Sequence, residues 1–279
     1  MVRHRSTDGR DDERVWNHYV VECEIAERLR SATPDERRRL YTAAYDELFQ
    51  RVPDHPQLRE PTDGPRAGDA EDQWRFLRRF VRPQTCLLEI GSGDCALAAR
   101  AARSVRHVLA LDASPTILGR SHVPANVQRT ICDGVTLPVA DQSVDVAYSN
   151  QLMEHLHPQD ARAQLAEIHR VLVPKGTYVC ITPNRLAGPH DISRRFDDQA
   201  RGLHLKEYTV AELDALLREA GFTAVHAYTG TRGVFVRLPA RTVSAVERLV
   251  EATPPGLRRA FRDSALALPL LQARVAAVR

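Results

Sequence analysis

The sequence predicts an α/β protein in which helices cover both faces of a mostly parallel sheet. From residue 86 onward, short apolar runs bounded by turn residues alternate with helical stretches, a pattern typical of a parallel sheet wrapped by helices. The run at 86–90 turns through two glycines into a helix, as βαβ units do. The last two runs are joined by a short turn containing Gly230 and Gly233. That turn predicts an antiparallel hairpin, because a parallel crossover needs about a dozen residues or more.

The predicted elements divide the chain into three parts. Two helices are expected within 15–52, before a linker at 53–72 that is rich in proline, glycine and charge. The predicted strands are 86–90, 108–112, 127–132, 144–149, 177–181, 223–228 and 234–238, with clear helices at 158–172 and 210–220. We therefore expect a helical N-terminal cap and linker at 1–72, a sheet domain at 73–240 and a helical C-terminal tail at 241–279. The tail could pack on the body, or contact a second copy or a membrane surface.

Composition excludes several classes of function. The net charge is +3, and basic and acidic residues are interspersed, so no basic stripe indicates a nucleic acid partner. Five cysteines, an odd number without C-x-x-C spacing, indicate a reduced protein. No segment has the roughly 20 apolar residues of a membrane span. We expect a cytoplasmic protein, and the dominance of arginine over lysine indicates a GC-rich, bacterial genome.

The glycine loop after the first strand predicts a ligand site. Gly91 and Gly93 let a ligand approach the backbone closely. Asp112, 19 residues after Gly93, can accept ribose hydroxyls from a dinucleotide or from another nucleoside. Asp94 starts the helix and would compete with a pyrophosphate for its N-terminus. Glu89 adds negative charge that favours a cationic sulfonium and ammonium ligand.

These residues, with others downstream, resemble the class I methyltransferases that use S-adenosylmethionine. Glu89-x-Gly91-x-Gly93 is similar to the family's first motif. Three further motifs follow in the family's order, in the segments 132–146, 149–156 and 170–184. The resemblance spans roughly residues 74–238 and implies a Rossmann-like seven-stranded sheet with S-adenosylmethionine as cofactor. The cofactor-binding residues it implies are Glu89, Gly91, Ser92, Gly93, Asp112, Ala113, Asp133, Gly134 and Asn150.

Four of these residues also have plain structural explanations. Asp133 and Gly134 form a common turn pair, although the resemblance implies a contact with the adenine amino group. Asp112 could be a helix cap, and Asn150 could cap a strand instead of contacting the methionine end of the cofactor.

Histidines are the candidate catalytic residues. An alcohol acceptor needs a general base, and histidine is the usual choice near neutral pH. His155, one turn past the fourth strand, is the first candidate, with a hydrogen-bonding role at the helix start as the alternative. The resemblance to quinone-biosynthesis O-methyltransferases implies a Glu-x-x-Glu-His run that has been linked to a metal ion. Its first position here is Gln151, and because a neutral amide is a weaker ligand for a hard cation, we predict no essential metal.

The stretch 184–208, called the lid below, is the second place for catalytic groups. Connections of 25 residues in compact domains are often functional. It contains His190 and His204 as further catalytic candidates, which could equally stabilise the loop. Tyr41 and Tyr45 of the N-terminal helices could form the opposite wall, or belong to an ordinary packed cap.

The sequence therefore predicts methyl transfer to a small molecule, with an oxygen acceptor favoured over nitrogen or carbon, in bacterial specialised metabolism of natural products. A nicotinamide-dependent oxidoreductase is the alternative from another enzyme class, and Asp94 and the lack of a Tyr-x-x-x-Lys pair argue against it. A noncatalytic module that keeps cofactor binding is the third alternative. A small-molecule acceptor is the expected partner, nucleic acid and membrane insertion are not expected, and a homodimer stays open.

Overall fold

The computed structural model describes residues 9–58, 66–118, 122–231, 233–254 and 272–279. The helices of these ranges are α1 (Asp12–Ser31), α2 (Pro34–Arg51), α3 (Arg66–Leu77), α4 (Ala96–Ala101), α5 (Pro115–Leu118), α6 (Pro158–Val171), α7 (Val210–Glu219) and α8 (Ala240–Glu251). The strands are β1 (Cys86–Ile90), β2 (His107–Asp112), β3 (Val127–Ile131), β4 (Val144–Asn150), β5 (Leu172–Thr182), β6 (Ala224–Thr231), β7 (Val234–Pro239) and β8 (Ala273–Val278).

One sheet contains all of these strands, in the order β3-β2-β1-β4-β5-β8-β6-β7. Strands β1 to β5 pair in parallel. β8 is antiparallel to both β5 and β6, and β7 is antiparallel to β6. The chain passes from β3 at one edge to β4 on the other side of β1. The carboxyl ends of β1 and β4 therefore form a topological switch point, where open α/β sheets bind ligands.

The structure confirms the α/β class and every predicted strand. β1 has its predicted bounds, and the hairpin of β6 and β7 forms at the edge of the sheet. Helices cover both faces: α3 and α4 pack on one face, and α1, α2, α6, α7 and α8 pack on the other. In the ranges that the structure describes, no helix has both the length and the apolar character needed to cross a bilayer.

The predicted helical tail is wrong for residues 273–278. They form β8, so the sheet has eight strands where seven were predicted. A short apolar run is compatible with either a buried helix or a buried strand. The two neighbours β5 and β6 decide between them, because each offers an open edge that β8 pairs with. Residues 255–271 of the predicted tail lie outside the described residues, whereas α8 is helical as predicted.

The N-terminal cap is helical as predicted, but the linker is shorter than expected. Helix α3 begins at Arg66, inside the predicted 53–72 connection, and residues 59–65 lie outside the described part of the chain. Thr33 and Glu36 form a capping box at the start of α2, with Pro34 in the first turn, which fixes where this helix begins.

A buried ion pair holds α2 against α6. The Arg37 guanidinium, 2% exposed, donates to both oxygens of Asp160 at 2.5 and 3.0 Å. Tyr41 donates its hydroxyl to the same carboxylate at 2.8 Å. On α1, the buried Glu22 accepts hydrogen bonds from His18 at 2.7 Å and from the backbone N–H of Leu203 in the lid at 3.1 Å. The cap therefore lies over the carboxyl ends of the strands and also contacts the lid.

Candidate active site

The glycine loop between β1 and α4 forms the floor of the site. Gly91 and Gly93 have φ of +73° and +54°, a region that favours glycine. The N–H groups of Gly91 and Ser92 donate to the carbonyl of Leu111 at 2.8 and 3.0 Å. The loop is therefore fixed to the end of β2.

Asp94 occupies the start of the helix, as the sequence indicated. Its carboxylate accepts a hydrogen bond from the N–H of Ala96, the first residue of α4, at 3.1 Å. A protein carboxylate thus already lies where a pyrophosphate would bind at a helix N-terminus.

A cleft of about 230 Å³ opens beside this loop. It lies at the switch point and is lined by Gln57, Asp69, Ala70, Gln73, Glu89, Gly91, Ser92, Gly93, Asp94, Ala96, Leu97, Ile117 and Asn150. Three of these lining residues are acidic, and none of them is a lysine, arginine or histidine. The cleft therefore favours a cationic ligand over an anionic one.

Glu89 is the buried acid of the cleft. It is 5% exposed, and its Oε2 has no hydrogen-bond partner. Burial raises the pKa of Glu89 well above its usual range, and the negative charges of Asp94 and Asp112 raise it further. An unpartnered buried carboxylate is costly, and a bound ammonium or sulfonium group would offset that cost. The residues of the cleft thus fit S-adenosylmethionine.

Asp112 lies at the end of β2 and holds the loop. Its carboxylate accepts hydrogen bonds from the N–H groups of Gly93 and Ser114, both at 2.8 Å. Burial raises the pKa of Asp112, although these hydrogen bonds act in the opposite direction. Ala113 lies in the chain between Asp112 and Ser114. Gly93 and Ser114 precede the helices α4 and α5 respectively, so these contacts fix the glycine loop and a turn. The helix-cap alternative and the ribose contact both stay predictions.

Asp133 and Gly134 form a turn in this structure. The Asp133 carboxylate accepts from the N–H groups of Val135 and Thr136 at 2.8 and 2.6 Å. Gly134 has a φ of +80° and its carbonyl accepts from the Gln164 side chain at 2.6 Å. Neither residue lines the cleft, so adenine contact stays a prediction. Asn150, by contrast, lines the cleft at the end of β4.

The three candidate histidines come together at the carboxyl ends of β4 and β5. The ring of His155 lies 4.9 Å from the ring of His204 and 6.0 Å from the ring of Tyr45. His190 donates its backbone N–H to Glu207 at 2.7 Å, and His204 bonds the same carboxylate through Nδ1 at 2.8 Å. The lid therefore brings residues distant in sequence into one histidine cluster: His155, His190 and His204, with Glu154 and Glu207.

Hydrogen bonding defines which nitrogen of each histidine is available. The Nδ1 of His155 bonds the carbonyl of Leu203 at 3.0 Å, and because a carbonyl only accepts, Nδ1 carries the proton. His204 likewise uses Nδ1 toward Glu207. The Oε1 of Glu154 is buried without a partner, while its Oε2 accepts from Thr182 at 2.8 Å. Ligand atoms of Glu154, His155 and His204 lie within 4.8 Å of one another, so this set could hold a cation or transfer a proton.

The members of the cluster differ in proton affinity. Burial and the neighbouring charge of His204 lower the pKa of His155 to about 3. Burial would also lower the pKa of His204, but the hydrogen bond with Glu207 and the charge of Glu154 outweigh it, and the pKa is raised. Burial raises the pKa of Glu154 to about 7. His204 is therefore the stronger base of the two.

Sequence reasoning missed three groups of this site. Asp69 and Gln73 line the cleft from α3, and their spacing of four residues on one helix was the available signal. Glu207 was within the predicted lid, three residues after His204. Tyr41 and Tyr45 pack beside Gly134 and His155 respectively, contacts that both the second wall and the ordinary packed cap allow, so the second wall stays a prediction.

The chain is similar to known methyltransferases. A family model described as a methyltransferase domain matches residues 88–180. A protein of Mycolicibacterium smegmatis, named a probable S-adenosylmethionine-dependent methyltransferase, is 35% identical over 180 residues, which cover 60% of this chain and 65% of that protein. An arsenite methyltransferase of Halobacterium salinarum is 32% identical over 156 residues, which cover 52% of this chain and 39% of that protein. The chain thus spans less than two thirds of either relative.

A solved structure has the same fold. Phosphoethanolamine N-methyltransferase 1 of Haemonchus contortus, in complex with phosphoethanolamine and S-adenosylhomocysteine, superposes with a TM-score of 0.52 at 20% identity. The match covers 73% of this chain and 43% of that one. The glycine loop and the acidic cleft lie in or beside the matched segment. Residues 88–180 thus match a methyltransferase domain, and the chain is similar to S-adenosylmethionine-dependent methyltransferases.

Proposed function

We propose that this protein transfers the methyl group of S-adenosylmethionine to an oxygen atom of a small molecule. The observation that supports the cofactor most strongly is the acidic cleft, in which Glu89 Oε2 is buried without a partner. Among the residues that the structure describes, no lysine, arginine or histidine lines that cleft. A pyrophosphate would meet the carboxylates of Glu89 and Asp94, so these residues do not favour a nicotinamide dinucleotide.

Four residues of the cleft have a part in this proposal, together with Asp112, which bonds the glycine loop. Gly91 and Gly93 allow close approach to the backbone, Asp112 would accept the ribose hydroxyls, Glu89 would face the cationic end, and Asn150 would contact the methionine end. The bound cofactor supplies an electrophilic methyl group on a positively charged sulfur. The protein's own task is to align the acceptor oxygen with that methyl group and to exclude water.

We assign the general base to His204, supported by Glu207. A base is most effective when its pKa lies near the operating pH, and the pKa of His155 is about 3. The raised pKa of His204 makes it the better proton acceptor, and Glu207 stabilises the imidazolium that results. The Nε2 of His204 would take the proton of the acceptor O–H as the oxygen gains the methyl group, and the electron pair of the broken sulfur–methyl bond would stay on the sulfur of the departing S-adenosylhomocysteine.

The cysteines do not support arsenite, the acceptor named for the Halobacterium relative. Arsenic(III) prefers soft thiolate ligands. Four of the five cysteines are buried, and burial raises the pKa of Cys95 and Cys132 to about 11. No cysteine lines the cleft.

Calorimetric titration with S-adenosylhomocysteine tests the cofactor site. We expect micromolar binding to the wild type, a loss of roughly 100-fold in Asp112→Asn because charge-assisted hydrogen bonds to the ribose disappear, and no change in Asp214→Asn, which alters a carboxylate on α7. NADH should not bind. Preference for NADH would contradict the proposal.

Turnover tests the acceptor. With S-adenosylmethionine present, release of S-adenosylhomocysteine is measured against a panel of phenols, alcohols and amines. Methylation of amines alone would replace the oxygen acceptor with nitrogen, and binding without turnover on any acceptor would favour a noncatalytic module. The cytoplasmic location and the role in bacterial specialised metabolism stay predictions of the sequence.

A further inference from the structure

A second groove adjoins the cofactor cleft. It has a volume of about 430 Å³ and shares Asp69, Gln73 and Asn150 with the cleft. The two spaces are therefore neighbours along the end of β4. Beyond the shared residues, the groove runs between α3, the end of β5 and the strands β7 and β8.

The far part of this groove has an apolar wall. Phe76, Ile181 and Phe235 line it, and the rings of Phe76 and Phe235 lie 4.8 Å apart. Apolar walls with a few placed polar groups are typical of small-molecule sites. The groove thus offers a surface for the body of an apolar or aromatic molecule.

Arg274 of β8 supplies the charge at this far end. Its guanidinium lies 5.3 Å from the centre of the Phe235 ring, and its Nη1 donates to the carbonyl of Gly230 at 2.8 Å. In the described part of the chain, no carboxylate lies within ion-pair distance of it. The side chain is half-buried, and burial lowers its pKa. A partly desolvated guanidinium without a carboxylate gains from a bound anion.

We propose that this groove binds the methyl acceptor, that Arg274 binds a carboxylate of that acceptor, and that the acceptor is a small carboxylic acid with an apolar or aromatic body. This inference rests on the proposed function. A monoanion is favoured over a phosphate dianion because, among the residues that the structure describes, Arg274 is the single basic residue lining the groove, whereas Asp69 and Asp72 line it too. Asp72 is paired with Arg75 at 2.8 Å, and Asp69 lies at the end shared with the cofactor cleft.

The groove and the histidine cluster flank the same strand ends. Ile181 lines the groove, while the next residue, Thr182, donates to Glu154 of the cluster at 2.8 Å. Side chains of consecutive strand residues point to opposite faces. The two faces meet at the carboxyl ends of β4 and β5. An acceptor anchored on Arg274 would therefore extend past Asn150 to these strand ends, where its reacting oxygen would meet the histidine cluster.

Binding of simple probes to the protein saturated with S-adenosylhomocysteine tests this inference. The probes are benzoate, its neutral analogue benzamide, and phenyl phosphate, measured by ligand-observed NMR titration. We expect benzoate to bind more tightly than both others. Arg274→Gln should weaken benzoate at least about tenfold and leave benzamide unchanged, because only the charged probe loses a charge-assisted contact. Arg237→Gln, an exposed arginine of β7 outside the groove lining, is the matched control.

The outcomes separate this inference from the proposed function. Failure of the wild type to bind S-adenosylhomocysteine would overturn the proposed function itself. Normal binding of S-adenosylhomocysteine with equal affinity for benzoate and benzamide, or equal losses in Arg274→Gln and Arg237→Gln, would overturn only the assignment of Arg274. Tighter binding of phenyl phosphate than of benzoate would overturn the proposal that the acceptor carries a carboxylate. If Arg274→Gln does not fold, the affinities of the wild type for the three probes still test whether the groove prefers a carboxylate.

Discussion

The cofactor cleft and the cap-and-lid region (residues 12–51 and 184–208) both contain buried carboxylates. The two regions differ in whether these carboxylates have hydrogen-bond partners and in the direction in which their pKa values are shifted. In the cleft, Glu89 lacks a partner at Oε2 and its pKa is raised by burial. In the cap-and-lid region, burial opposes ionisation too, yet hydrogen bonds from His18 and His204 lower the pKa of Glu22 and Glu207 respectively. Paired carboxylates hold elements together, whereas unpaired ones indicate a ligand site.

This contrast has a physical basis in desolvation. A buried charge is stable only when a nearby group compensates for the lost water. Arg37 and Asp160 compensate for each other within the protein. Glu89 has no such cation, and its raised pKa favours the neutral form until a ligand supplies a positive charge. The contrast predicts opposite effects of substitution in the two regions.

The largest expected effect is on stability, at the cap. Arg37→Ala leaves Asp160 buried without its cation and should lower the free energy of unfolding by about 3–5 kcal/mol, measured by urea denaturation. The adjacent Arg38, with a side chain 43% exposed, gives the control: Arg38→Ala should cost less than about 1 kcal/mol. Equal costs would mean that the buried pair does not hold the cap.

The next effect is on catalysis, in the lid. His204→Gln should lower kcat about 100-fold, the low end for loss of a general base. In the wild type, activity requires neutral His204, so kcat should rise with pH through a midpoint above the ordinary 6.5 of histidine. Glu207→Gln removes the hydrogen bond that raises this pKa and should move the rise to lower pH. An unchanged midpoint in Glu207→Gln would contradict the assignment.

A smaller effect is expected on binding, in the cleft. Glu89→Gln should weaken S-adenosylmethionine about tenfold, and S-adenosylhomocysteine less, because the product lacks the sulfonium charge. Stability should stay the same or rise, since the substitution removes a charge that burial disfavours. Calorimetry and thermal unfolding measure the two quantities, with Glu219→Gln on the exposed end of α7 as control. If Glu89→Gln lowered the free energy of unfolding, Glu89 would be a residue that stabilises the fold, like the paired carboxylates.

Proton release gives a finer test of the same carboxylate. The raised pKa of Glu89 means that it takes up protons more readily than an ordinary glutamate when no cation is bound. A bound ammonium favours the ionised form, so binding should release a proton and affinity should rise with pH. Titrations in buffers of different ionisation enthalpy detect the release, which should disappear in Glu89→Gln. Proton uptake on binding would contradict this reasoning.

The smallest effect is expected from metal removal. The sequence predicts no essential metal, although Glu154, His155 and His204 are close enough to hold one. Dialysis against a chelator should therefore leave activity unchanged. Loss of activity that returns with a divalent cation would show that this prediction is wrong.

The sequence predicted the glycine loop and the ends of β1, β2 and β4 beside it, because the signals for these features are local. Gly91, Gly93 and Asp94 lie within one loop, and Asp112 ends the next strand, so short segments carry the information. The histidine cluster was only partly predictable: His155, His190 and His204 were candidates, but their mutual contacts depend on how the lid folds back on β4. Arg37 and Asp160, 123 residues apart, gave no local signal at all.

The sequence by itself determined the strands β1 to β7, the hairpin and the glycine loop, because hydrophobic periodicity and glycine backbone freedom act over a few residues. The tertiary structure alone decided that residues 273–278 are a strand, since the open edges of β5 and β6 select that conformation. It also decided which buried charges have partners, because compensation for desolvation depends on which distant segments meet.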